Sequence, residues 1–379
     1  MSDTWTFLSR SGYQGVMPTH RDPWLDNAKM GLIVLVVLGH TWALLPSDGP
    51  AGHLYDFVYL WHMPAFVFLS GYLSRGFSYR PDRLWQLVTT LLVPYVLFEG
   101  ALAWFRLHVG GERLEYLWTD PHFPMWYLLA LVVWRLAVPL LRPLGSGAVV
   151  LALAICLASG FLDGEWTRWM DLPRILGFLP FFVLGTMLTP ERMEWLRGRT
   201  PALLGVATFG LIGVLAVNLQ HWAGTGYLYY RPFTLMDDTT ATALVTRLLV
   251  VGVGLAGTFA WLAVVPRVGG WFTRMGAATM IVYLFHGFAV KGLEYGGFRE
   301  WSADHVGLSL VVGTTLGLAI ALGLAAPPVR RVLTHVADPF GVAQRKVREA
   351  VVLTAVVHEQ ENGTAPTAEH AAEAVRAGR

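Results

Sequence analysis

Apolar residues in this chain come in long unbroken runs instead of in alternation. Ten runs can be drawn, at approximately 30–46, 54–73, 84–104, 125–141, 147–162, 174–189, 201–219, 246–265, 275–290 and 306–326, with short polar segments between them. Runs of this kind predict membrane-crossing helices. A backbone in lipid must satisfy its own polar groups, and an isolated apolar segment does so only as a helix. The runs near 125, 147, 174 and 275 are shorter than the roughly 20 residues a perpendicular crossing needs. The pattern therefore predicts an all-α, polytopic protein with about ten transmembrane helices.

The ends read differently. The first 23 residues, "MSDTWTFLSRSGYQGVMPTHRDP", lack the apolar core of a cleavable signal, so the first helix is expected to act as an uncleaved targeting signal. From about 338 the chain turns polar. "EQENGTAPTAEHAAEAVRAGR" is too poor in large apolar residues to bury a core and is expected to be disordered; "GVAQRKVREAVVLTAVV" before it suits a helix lying on the membrane surface. This divides the chain into an N-terminal segment (1–28), a transmembrane domain (29–330) and a C-terminal tail (331–379). With the N-terminus inside, the inner segments through Arg331 hold fourteen Lys and Arg, among them Arg10, Arg21, Lys29, Arg75, Arg80, Arg83 and Arg142, and the outer loops hold six, including Arg168. Arg345, Lys346 and Arg348 add to the inner count. The positive-inside rule then places both termini in the cytoplasm and the protein in the cell membrane as a multi-pass chain.

Composition agrees. Hydrophobic residues make up 54% of the chain and charged residues only 14%, against about 25% charged in a soluble domain; mean hydropathy is +0.48. The net charge of +2, with no basic run interleaved with aromatics, excludes a nucleic-acid partner. A single cysteine, Cys156, excludes an internal disulfide and a Cys-rich metal site, and reads as a buried thiol.

Candidate chemistry lies within the apolar runs. "KMGLIVLVVLGH" opens on Lys29, crosses ten uncharged residues and closes on His40. Eleven helical positions make three turns plus some 20°, so the two residues share one face, roughly 16 Å apart along the axis. A polar stripe of this kind suits a helix lining a cavity. In "LYDFVYLWHMPAFVFLSGYL", Asp56 and His62 enter the second run, and Pro64 can loosen the helix beside His62. Glu99 sits in the third run, and His286, eleven residues after Met275, falls at about the depth of His40. Ionisable residues inside membrane spans are costly and usually face a water-filled site. Each also has a packing explanation: a histidine bonding a neighbouring helix, a carboxylate paired with Arg or Lys, a snorkelling Lys29. Three histidines at one inferred depth on three helices weigh toward a site. An imidazole away from bulk water can act as general base for an alcohol attacking a carbonyl. Lys29 with Arg75, Arg80 and Arg83 would suit the phosphates of a cytoplasmic cofactor, although positive-inside loops account for the arginines equally well. No metal is expected, since none of the histidines stands in an H-x-x-x-H spacing, and no G-x-S-x-G marks a serine nucleophile.

The blocks "LDNAKMGLIVLVVLGH", "YLWHMPAFVFLSGYLSR", "LLVPYVLFE", "MWYLLALVVWRL" and "GAATMIVYLFHG" together resemble the acyltransferase-3 family, over most of residues 24–290 and in the expected order. The likeness is nearest to its fucose acetylase-like branch, membrane enzymes that O-acylate sugars. The resemblance implies that His40 is the essential catalytic residue, that Lys29 (where many members carry Arg) supports the site or the cofactor, and that His62 and His286 match two further family histidines. Arg80 and Arg83 of "RPDR" correspond to an Arg-x-x-Arg pair of some members, with a different distance to the following proline. It further implies acetyl-CoA or another acyl-CoA as donor, and as acceptor a hydroxyl of a glycan such as an exopolysaccharide, a lipid-linked sugar or a glycoside, meeting His40 with His62, His286 and Glu99 nearby. The alternative is a multi-pass transporter of a small polar solute, suggested by polar residues on several helices and by Gly and Pro within spans; the absence of an inverted repeat speaks against it. A lipid-linked glycosyltransferase would need an acidic metal motif, for which "MDD" (Asp237, Asp238) is too thin.

Overall fold

The apolar runs become helices. The structure, a computed structural model, describes residues 22–114, 121, 124–164, 169–337 and 341; among the described residues the regular structure is helical and contains no strand. Arg10, Arg21, Arg168, Arg345, Lys346, Arg348, the surface-helix stretch beyond Gly341 and the polar C-terminal end lie outside the described residues. Pro23–Leu333 form one compact unit.

Its first helix, α1 (Pro23–Trp42), is followed by α2 (Pro50–Tyr59) and α3 (His62–Ser74), which form one broken span. Next come α4 (Pro81–His108), α5 (Trp126–Leu144), two shorter apolar helices α6 (Gly147–Phe161) and α7 (Leu172–Met187), then α8 (Arg199–Val217), α9 (Thr240–Val264), α10 (Trp271–Tyr295) and α11 (Val306–Ala325). Seven of these spans are long and apolar enough to cross a membrane: α2–α3, α4, α5, α8, α9, α10 and α11. Every run marked in the sequence coincides with a helix. Two of the four short runs lengthen, to 19 residues in α5 and 25 in α10, and two stay short in α6 and α7.

Helix α1 occupies the centre, packed by α2, α3, α10 and α11. It begins seven residues before its apolar run, at Pro23, so Lys29 lies in its second turn. Polar residues are tolerated there because each finds a partner inside the protein. Asp26, 6% exposed, pairs with Lys29 at 2.7 Å. Asn27 Nδ2 donates to the carbonyls of Pro266 (2.8 Å) and Val268 (3.2 Å), and its Oδ1 accepts from Thr273. Hydropathy alone cannot see such partners, which is why the sequence starts this helix late. On the outside, α8 and α11 leave Leu203, Val206, Leu211, Val306 and Val311 exposed, as helices facing lipid do.

Two proline effects shape the spans. Pro94 offers no N–H to the Thr90 carbonyl, and the ladder of α4 widens to a π turn at Val88–Leu92, where the Thr89 and Thr90 hydroxyls donate back to Trp85 (3.0 Å) and Gln86 (2.7 Å). Pro64 likewise leaves the Leu60 carbonyl without its donor, and the chain breaks between α2 and α3. Helix α3 then runs against α7 at very short range. A Cβ on Gly71 would fall 2.1 Å from the Phe182 carbonyl oxygen, and one on Gly185 2.0 Å from that of Phe68. Reciprocal glycines let the two backbones touch, the close approach on which helix association in lipid depends.

Candidate active site

The break at Pro64 decides how His62 is held. In the interrupted turn the Val58 carbonyl accepts from the backbone N–H of Trp61 at 3.2 Å and from His62 Nδ1 at 2.8 Å. A carbonyl only accepts, so Nδ1 carries the proton and Nε2 of the neutral ring keeps its lone pair. His286, in the middle of α10, is fixed the same way: Nδ1 donates to the carbonyls of Tyr283 (2.7 Å) and Val282 (3.0 Å). Its Nε2 is buried and has no hydrogen-bond partner among the described residues.

Helix α10 runs beside α1 in the same direction, with Gly276 against the backbone of Asp26. Ten residues on, His286 stacks on His40, ring centroids 5.4 Å apart and planes 30° from parallel. The equal depth read from spacing thus becomes contact. Tyr59 lies edge-on to His62 at 4.7 Å and stacks on Tyr55 at 4.1 Å. It approaches α1 at Gly39, where a Cβ would sit 3.0 Å from its ring.

His40 and His62 face a cavity of about 510 Å³, within the range of small-molecule sites. Its other walls come from Tyr55, Tyr59, Trp126, Asp171, Arg174, Tyr229, Tyr230 and Arg231. Arg174, in the first turn of α7, is braced on three sides. Its Nη1 meets Asp171 at 2.5 Å, its Nε donates to the Tyr229 carbonyl at 3.3 Å, and its guanidinium lies over the rings of Trp126 (5.1 Å) and Tyr229 (5.4 Å). Asp171 and Tyr230 hold left-handed backbone at φ 53° and 56°. For residues with a Cβ that conformation costs about 1 kcal/mol or more, and both of these line the cavity.

The other residues marked in the sequence lie elsewhere. Helix α3 leads away from His62, so Arg75 at its end is on the Lys29 side of the bundle; Arg75 donates to the Tyr72 carbonyl at 2.7 Å. Arg80 and Arg83 follow, 73% and 52% exposed, both paired with Asp82. None of Lys29, Arg75, Arg80 and Arg83 lines the His40 cavity. Between Lys29 and His40 on the shared face, Ile33, Val36 and Val37 are buried. Glu99 is fully buried in α4 and does not line the His40 cavity. Asp56 borders a neighbouring cavity. Among the described residues no group of three His, Cys, Asp or Glu is placed to hold a metal ion.

Two arginines that build the cavity escaped the sequence reading. Arg174 stands at the edge of "LPRILGFLPFF". Arg247, fully buried in α9, donates to the Cys156 carbonyl and Ser159 Oγ (both 3.3 Å) and to the Arg231 carbonyl, and lies over Phe233 at 4.3 Å. It ties α6 to the segment carrying Arg231, a wall of the cavity. The signal was present in both cases: a guanidinium in or beside an apolar run has to be paired inside the protein.

Comparison with known proteins bears on this geometry. A family profile described as an acyltransferase domain matches residues 22–327. The chain is 24% identical to nodulation protein NolL of Mesorhizobium japonicum over 347 residues, covering 84% of this chain and 89% of that protein. It is 26% identical to nodulation protein NolL of Sinorhizobium fredii over 329 residues, covering 79% and 86%. No solved structure matches.

Proposed function

This chain belongs to the acyltransferase-3 family of membrane-integral acyltransferases, and we propose that it moves an acyl group, acetyl in the simplest case, from acyl-CoA to a sugar hydroxyl at the cavity beside His40. The observation that carries this reading is the contact of His40 with His286 at the wall of a cavity that His62, its ring fixed by the backbone, also lines.

In this reading His40 takes the proton of the acceptor hydroxyl as its oxygen attacks the thioester carbonyl carbon. The carbonyl π electrons move onto oxygen. When the tetrahedral adduct collapses, the C–S bond breaks and the imidazolium returns its proton to the departing CoA sulfur. The oxyanion needs a hydrogen-bond donor. His62 and His286 spend their Nδ1 protons on carbonyls and present lone pairs when neutral, so neither serves. Arg174 does: a guanidinium has five N–H groups, and Asp171 and the Tyr229 carbonyl account for two of them.

On the Lys29 side, Lys29, Arg75, Arg80 and Arg83 are the cations offered to the donor's phosphates, and the lysine and arginine asymmetry of the loops supports reading that side as cytoplasmic. The two sites are roughly 16 Å apart along α1, and because Ile33, Val36 and Val37 fill the face between them the helices have to part for the donor's arm to reach His40.

The test uses purified protein and acetyl-CoA, with release of CoA thiol followed in the presence of a panel of sugars. His40→Ala should lower the sugar-stimulated rate by about 10² or more while elution and melting stay those of the wild type. A His40→Ala protein that keeps half of its activity would refute the assignment.

A further inference from the structure

A second cavity, of about 690 Å³, adjoins the first. The two share Ala43, Tyr55 and Tyr229. The hydroxyls of Tyr55 and Tyr229 meet there, so the pair forms a partition with one chamber on either side. The outer chamber is bordered by the loop that follows α1, by α2 and by the end of α8.

Its chemistry differs from that of the His40 chamber. The inner cavity carries Arg174 and Arg231 and both histidines. The outer one carries Asp48, Asp56, His53, Gln220 and Ser47, a set rich in acceptors and short of fixed cations. Trp42 adds an aromatic wall, and its orientation is locked because Nε1 donates to Thr314 Oγ1 at 2.9 Å. Carboxylates and amides that accept from hydroxyls, beside a fixed ring, suit a neutral hydroxyl-rich unit. They disfavour a uronate or a phosphate.

We infer that the outer chamber is a second acceptor subsite, which holds a neutral glycosyl unit next to the one being acylated, so that the acceptor is a glycan of at least two units lying across the Tyr55–Tyr229 partition. The inference rests on the sugar acyl-transfer reading above. It goes beyond that reading in assigning a length and a charge to the acceptor and in giving Asp48 and Gln220 a role.

The experiment measures CoA release by the purified full-length protein with acetyl-CoA and matched acceptors: methyl glycosides of several neutral sugars, their di- and trisaccharides, and a uronic-acid disaccharide. For the accepted sugar, kcat/KM should rise about tenfold or more from one unit to two, and the uronate should gain nothing. Asp48→Ala and Gln220→Ala should each erase most of that gain by raising KM for the disaccharide, with rates on the methyl glycoside unchanged. A disaccharide no better than its methyl glycoside overturns the subsite. So do variants that depress both acceptors equally, and so does a His40-dependent release that no extended glycan stimulates. Absence of any His40-dependent release instead overturns the acyl-transfer reading itself, and the two failures are thereby told apart.

Discussion

Gly39 precedes His40, and its missing side chain sets how closely Tyr59 can stand to the site. In Gly39→Ala the new Cβ would lie 3.0 Å from Tyr59 Cε2, 3.7 Å from Cδ2 and 3.9 Å from Cζ. Carbon atoms pack at about 3.5–4.0 Å, so the ring has to retreat by roughly 0.5–1 Å. It has little room, being stacked on Tyr55, edge-on to His62 and 5.4 Å from Tyr229. Overpacking of this kind costs about 1–3 kcal/mol, and alanine returns about 1 kcal/mol over glycine within a helix. Net stability should therefore fall by only about 0–2 kcal/mol. Activity should fall further in proportion. A misplacement near 1 Å costs about 10² in rate, so half of that predicts about a tenfold loss of kcat with KM for acetyl-CoA unchanged. The assay is CoA release alongside thermal melting. Tyr59→Leu removes the ring atoms that the Cβ would meet, so adding Gly39→Ala to that background should cost less than about twofold, a coupling a double-mutant cycle reads directly. An equal loss in both backgrounds, or none in the wild type, refutes the reasoning.

Two further expectations follow from the same geometry. Arg174→Gln should lower kcat about 10²-fold, as loss of an oxyanion donor does, with Arg174→Lys retaining part of the activity and Asp171→Asn losing much less; equal losses for Arg174→Gln and Asp171→Asn would reduce Arg174 to a structural tie. Beyond α4, burial pushes the Glu112 carboxyl up, but hydrogen bonds from Arg106, Tyr295 and Lys291 outweigh it and hold the group at about 2, against an ordinary 4.5. Its contribution to stability is thus present above pH 4.5 and lost as the pH falls toward 2, and Glu112→Gln should flatten the pH dependence of melting below 4.5.

The spans were legible because lipid imposes one rule along their whole length, and each apolar run met a helix. Their ends were not. Helix α1 reaches back to Pro23 because Asp26 and Asn27 are satisfied by Lys29, Pro266 and Val268, and the last two are more than 200 residues away. The histidines could be found because a titratable ring in an apolar run is conspicuous, and helical rise alone gave His40 and His286 a common depth. Their tautomers could not be found, since these depend on which carbonyls a broken turn leaves open. Arg174 and Asp171 were hidden for another reason. Arg174 heads a run that was marked for its apolar residues alone, and Asp171 acts through a left-handed backbone that leaves no hydrophobic period.

The rings of His62 and His286 are each tethered to a carbonyl three or four residues back in the same chain segment. The His286 lone pair is therefore a pointer bolted to α10, and that of His62, at the head of α3, is bolted to the end of α2 across the break. If α10, or α2 and α3 together, rock against α1 as substrates enter or leave, the pointers swing with them, and the site is assembled or taken apart by rigid-body motion without a proton being gained or lost.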